Sequence, residues 1–159
     1  MSRSGYSDEC EGSELALWRG AVCSAIRGKR GQALLRETLA ALDAMPVKEL
    51  IAHELVQDGE FCTLGVVGRA RGINLTKIDP EDRHGIAEVF GIAPALAAEI
   101  VFMNDDVLDD FKWTEVEICG PLRHLESRTR QVRESVTDIR AKRWYHMRDW
   151  VAEQIKTAQ

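Results

Sequence analysis

Apolar residues recur every three or four positions over two neighbouring stretches near the start of the chain, a spacing that predicts two helices. From about Ser13, Leu15, Trp18, Val22, Ala25 and Ile26 share one stripe, which stops at Gly28. From about Arg30 to Met45, Leu34, Leu35, Leu39 and Leu42 share another, closed by Pro46. The pair reads as a helical hairpin whose apolar faces can pack together. Asp58-Gly59, set between short mixed apolar runs, predicts a β-hairpin, and "CTLGVVGRARG" after it suits either a strand or a helix. In "IDPEDRHGIAEVFG", Asp79 is placed to cap a helix that Pro80 opens and Gly91 ends. Pro94 starts the next helix, with Leu96, Ile100 and Met103 in one stripe. "TEVEICG" and "TRQVRES" then alternate as strands around a loop containing Gly120-Pro121. A last helix begins near Asp138 and carries Ile139, Trp144, Met147, Trp150, Val151 and Ile155 on one aromatic-rich face.

These elements predict a mostly helical α+β fold: an N-terminal helical hairpin, a central helix pair, one or two short β-hairpins and a C-terminal amphipathic helix. With 159 residues, 45 % of them apolar, the chain suits one core and is short for two. The expected organisation is a flexible tail over residues 1–10 and one globular domain over residues 11–159. The polar opening "MSRSGYSDECEGSE" lacks the apolar stretch of a signal peptide, and no apolar run reaches the roughly 20 residues of a membrane span. Cys10, Cys23, Cys62 and Cys119 form no C-x-x-C pair, so reduced thiols and a cytoplasmic protein are expected.

Charge adds an asymmetry that the net value of −5 conceals. Residues 79–117 hold eleven acids and two bases, whereas residues 118–159 hold nine bases and five acids. On separate faces these segments would make an acidic surface able to steer a basic partner, with Asp105, Asp106, Asp109 and Asp110 as its contact residues. Paired with each other, they would cancel inside the fold.

A different chemistry is offered by "AIRGKRGQAL". Gly28-Lys29-Arg30-Gly31 between apolar Ile26 and Leu34 has the form of a glycine-framed clamp for a nucleic-acid backbone, in which small residues admit phosphate and exposed bases neutralise it. Arg27, Arg69 and Arg71 could extend such a site. The competing explanation is a turn between helices, Gly28 capping the first and the bases complementing its negative end. No strand precedes the first helix, as the clamp fold requires.

Other motifs are weaker. "RHGIAEVFGIAPALAAEIVF" has helix-turn-helix core spacing, but Ala93, Pro94, Ala95, Ala98 and Glu99 would offer a groove almost no donors. Asn104, Asp106, Asp110 and Glu115 match four positions of a calcium loop, in which Leu108 lacks an oxygen and Asp109 replaces the turn glycine. His53, His84, His124 and His146 are scattered, so no metal site is expected. "GVVGRARG" lacks the Lys-Ser/Thr ending of a phosphate loop, and no catalytic or cofactor motif is present in the sequence.

The runs "SRSGYSDE", "WRGAVCSAIRGKRGQALLRETLAALDAMP", "LGVVGRARGI", "IDPED", "FGIAPALAAEIVFMND" and "KRWYHMRDWVAEQI" together resemble a family of small proteins from phages and prophages of Gram-negative bacteria. The resemblance is weakest between Asn104 and Arg140, and it carries over no catalytic residues. It implies a protein that acts in the bacterial host cytoplasm by binding a host protein or nucleoprotein complex, as anti-CRISPR and other anti-defence inhibitors do, here through the acidic face. The alternative is a nucleic-acid-binding accessory protein using the Gly-Lys-Arg-Gly segment. Neither reading involves a cofactor, and the oligomeric state stays open.

Overall fold

The computed structural model describes residues 3–6, 12–121, 124 and 129–157. Two helices open it, α1 (Gly12–Arg27) and α2 (Lys29–Asp43), with Gly28 alone between them. They pack together near this corner, and each then finds further partners: α1 lies on the fifth helix of the chain, α2 on the third and the sixth. The 3–4 spacing of Leu34, Leu35 and Leu42 keeps one side of α2 buried. Lys48 closes its end by donating from Nζ to the carbonyls of Leu42 (3.2 Å) and Asp43 (2.6 Å).

Strands β1 (Val56–Gln57) and β2 (Glu60–Phe61) form the expected hairpin. Asp58 (φ 52°) and Gly59 (φ 82°) both take the left-handed conformation that a two-residue turn requires. The ambiguous glycine-rich stretch is a helix, α3 (Thr63–Ala70), and the Cys62 thiol accepts the Gly65 N–H at its start. Its Leu64, Val66 and Val67 are buried, so burial and a local cap decide what periodicity left open.

Next come α4 (Arg83–Phe90) and α5 (Pro94–Asp105), which meet at 107°. Asp82, not Asp79, caps α4: its carboxylate accepts the N–H groups of His84 and Gly85 at 3.1 and 3.0 Å. Asp79 instead accepts the Glu81 N–H at 2.9 Å, so Pro80 sits in a turn ahead of the helix. Helix α5 is apolar on nearly every side and is deeply enclosed, with Ala95 through Val101 all buried. Most of the second helix of this pair is therefore packed inside the protein.

Strands β3 (Phe111–Glu117) and β4 (Thr129–Ser135) pair antiparallel over seven positions, from Phe111 opposite Ser135 to Glu117 opposite Thr129. Helix α6 (Ile139–Thr157) returns to the core through Trp144, Met147 and Val151 and packs along α2. The Trp144 indole N–H donates to the Leu42 carbonyl at 3.2 Å. The result is the mostly helical α+β fold that the hydrophobic pattern predicts. Among the described residues no single helix is long and apolar enough to cross a membrane.

Candidate interaction surface

The acidic segment is largely turned inward. Asp105 is buried and holds Arg3 through two hydrogen bonds, Nε to Oδ2 at 2.7 Å and Nη2 to Oδ1 at 3.1 Å. Asp106 accepts the Ser4 hydroxyl at 2.9 Å, and Asp110 accepts Arg143 Nη2 at 2.8 Å. Asp106 and Asp109 reach solvent. Asp105 therefore does not belong to an acidic docking face: a carboxylate this deep needs its cation, and the cation comes from the first residues of the chain. Residues 3–6 depart from the expected loose tail for the same reason. Arg3 and Ser4 are buried, and Tyr6 donates its hydroxyl to Glu99 at 2.5 Å while stacking edge-on with Trp18. Arg19 grips the same Glu99 at 3.0 Å. Burial and the Glu99 carboxylate together push the Tyr6 phenol well above its ordinary range.

A polar junction lies beneath this contact. The Asn104 amide oxygen accepts both the N–H and the hydroxyl of Thr63 (3.1 and 2.7 Å), and its nitrogen donates to Ile51 O and Asp105. Arg143, also buried, donates to the carbonyls of Asn104 and Leu50 and to Asp110. Asn104 and Asp110, two members of the calcium-loop pattern, are thus engaged by separate partners, Thr63 and Arg143. Of the two oppositely charged segments, Asp110 and Arg143 pair internally.

The basic segment is a corner. Lys29, Arg30 and Gly31 form the first turn of α2, and Gly28 takes an extended conformation with φ −66° and ψ 154°, which any residue adopts. Gly31 has a packing reason. A Cβ there would overlap the Ala25 carbonyl oxygen and stand 3.0 Å from its carbon and 3.2 Å from Ile26 O. Gln32 reinforces the corner by donating to Ile26 O at 2.9 Å. Arg27, Lys29 and Arg30 are exposed. The other two candidate bases do not join them: Arg71 is held by Glu37 (2.6 Å) and donates to Phe90 O, and Arg69 lies over the Phe61 ring. Arg69 borders an apolar groove of about 490 Å³ formed by Met45, Leu50, Phe61 and Val66, while Lys29 and Arg30 border a separate depression of about 330 Å³.

The exposed aromatic pair Phe111 and Trp113 sits on the β3–β4 ribbon. Its strands pack chiefly on each other, and neither lies extensively on a helix. Odd positions put Phe111, Trp113, Glu115, Gln131 and Arg133 on one face. Trp113 is 68 % exposed and Phe111 43 %, against 5 % for the core Trp144. The Arg133 guanidinium covers the Phe111 ring at 3.3 Å and stands directly opposite Trp113. Alternation revealed the strands; that they would pack chiefly on each other was not legible. No protein-family model matches the chain, and no significant match is found among curated proteins or solved structures.

Proposed function

We propose that the protein acts by binding, with the Phe111–Trp113–Arg133 face of the ribbon as its contact surface and a host protein, as the resemblance to phage proteins implies, as its partner. The observation that carries this reading is the exposure of Trp113 on a ribbon whose strands pack chiefly on each other. A two-stranded sheet gains little from burial on its own, so a large solvated aromatic there is unexplained by folding. Tryptophan and arginine are also the side chains that concentrate binding energy at protein interfaces, because each combines a broad apolar surface with directed donors. Exposed Asp106 and Asp109 near the base of the ribbon would steer the approach of a basic partner and add little once it is docked. An anti-defence inhibitor is the role that the phage setting implies for such a binder.

The test is affinity purification of the tagged protein from a bacterial host, with and without nuclease, using wild type, Trp113→Ala, and Lys29→Asp with Arg30→Asp. A stoichiometric protein partner that survives nuclease and is lost with Trp113→Ala is the expected result. Recovery of nucleic acid that depends on Lys29 and Arg30 and is indifferent to Trp113 would overturn the reading.

A further inference from the structure

The ribbon has a property that its aromatic face does not use. Val136 N–H donates to Asp110 O at 2.9 Å, in step with the register of the ladder. In an antiparallel pair, opposed residues that exchange hydrogen bonds alternate with opposed residues that do not. Residues 130, 132 and 134 therefore turn their backbone groups toward β3. Residues 129, 131, 133 and 135 turn theirs outward, where no other strand pairs with β4 among the described residues. Edges of this kind are templates for another strand.

We propose that a second copy of this chain occupies that edge, β4 against β4 in antiparallel register about Val132. The segment "TRQVRES" is self-complementary under this operation. Val132 meets Val132 of the second copy, Arg130 meets Glu134, Glu134 meets Arg130, and Gln131 meets Arg133. Backbone polarity selects the same family of registers, because Gln131 opposite Arg133 joins two outward-facing residues while the Val132 pair falls at the close, non-hydrogen-bonded position. A register centred on Arg133 would oppose like charges, and one centred on Gln131 would leave Arg130 opposite Val132. Only the Val132 centre matches both ion pairs. Within each protomer Lys112 lies 3.5 Å from Glu134, so the row across the joined sheet alternates in sign: Lys112, Glu134, then Arg130 of the second copy.

The product is a four-stranded sheet with a twofold axis perpendicular to it. Antiparallel pairing leaves the two helical bodies at opposite ends of a seven-residue strand, about 23 Å apart along it. Both aromatic clusters fall on one side of the sheet, so dimerisation turns one binding face into two adjoining ones. The pairing uses even side chains and the β4 backbone, whereas partner binding uses Trp113, and the two readings can fail separately.

Sedimentation equilibrium of the full chain tests the proposal. Wild type should be a dimer. Arg130→Glu should weaken it by about 30-fold or more, because two symmetry-related pairs become repulsive; Arg130 stands opposite Val116 on β3, so the change reverses no acid–base pair inside the ribbon. A second variant, Lys112→Glu with Glu134→Lys, keeps the internal pair in reversed order and should also be monomeric alone. Mixing the two variants should restore a heterodimer, since the acid introduced at position 130 of one then meets the base introduced at position 134 of the other, and the remaining native Glu134 meets the remaining native Arg130. Trp113→Ala should remain dimeric. A wild type that stays monomeric at several hundred micromolar, or a dimer that ignores Arg130→Glu, or variants that do not associate when mixed although each is folded by circular dichroism, would overturn it.

Discussion

Replacing Gly31 with alanine separates the two explanations of the Gly-Lys-Arg-Gly segment. In the structure the residue lies in the first turn of α2 against the last turn of α1, where an added Cβ overlaps the Ala25 carbonyl oxygen and crowds Ile26 O at 3.2 Å. Both neighbours are helical backbone, so relief requires the two helices to part by about 1 Å, and overpacking this severe lies at the upper end of its usual cost, about 2–3 kcal/mol. Alanine recovers up to about 1 kcal/mol of helix propensity, which leaves a net loss of about 1–2 kcal/mol. For a chain of this length that corresponds to a fall in Tm of about 2–8 °C. Gly28→Ala meets only the Ser24 and Ala25 carbonyls at 3.4 and 3.6 Å in an ordinary conformation, and should change stability by less than about 1 kcal/mol, since the poorer N-cap is offset by a less flexible unfolded chain. Urea denaturation of both variants, followed by circular dichroism, measures the difference. Lys29→Ala and Arg30→Ala serve as controls for exposed side chains. If Gly31→Ala is as stable as wild type, the close approach of the helices is wrong and the glycine needs another purpose, such as admitting a phosphate backbone.

Asp105→Asn should destabilise the protein by about 3 kcal/mol, because it leaves the buried Arg3 guanidinium without its counter-charge, whereas Asp109→Asn at the surface should stay within about 0.5 kcal/mol; denaturant midpoints compare them. Burial holds His146 below its ordinary value of 6.5, with its Nε2 enclosed and lacking a hydrogen-bond partner among the described residues. Protonation is thus more favourable in the unfolded chain. The stability this neutral histidine permits is present above pH 6.5 and is lost as pH falls through and below that value. His146→Gln should flatten the change in melting temperature between pH 7.5 and 5.5, and an undiminished slope would assign it to other groups. Glu37 acts in the same sense at lower pH: its hydrogen bonds to Arg71 lower its pKa, so their contribution is lost only at acid pH, as the carboxylate becomes protonated. The pair is partly exposed, and Glu37→Gln should cost no more than about 1 kcal/mol at pH 7. Trp113→Ala should leave the melting temperature within about 2 °C of wild type, as its side chain is two-thirds exposed; a larger fall would show that the indole serves the fold.

Helices α1, α2, α4, α5 and α6, the Asp58-Gly59 turn and the two ribbon strands were legible along the chain because each is set locally, whereas α3 was not. Spacing of three to four places Leu34, Leu35 and Leu42 on one side of α2, and alternation places Phe111, Trp113 and Glu115 on one face of β3. A second Asp three residues on was enough to misplace the cap of α4, since Asp79 and Asp82 both precede N–H groups and only their conformations distinguish them. Charge was legible only as a sum. Asp105 and Asp109 are the same side chain four positions apart, yet one is buried against Arg3 and the other meets water. Nothing within the acidic segment signals that difference, because the cation that permits the burial of Asp105 lies 102 positions away and works through desolvation and direct contact. Trp113 and Trp144 likewise carry equal hydrophobicity into opposite environments. Composition determined how much apolar surface the protein has to bury, and the packing of α6 on α2, with the ribbon strands packed chiefly on each other, decided which indole stays exposed.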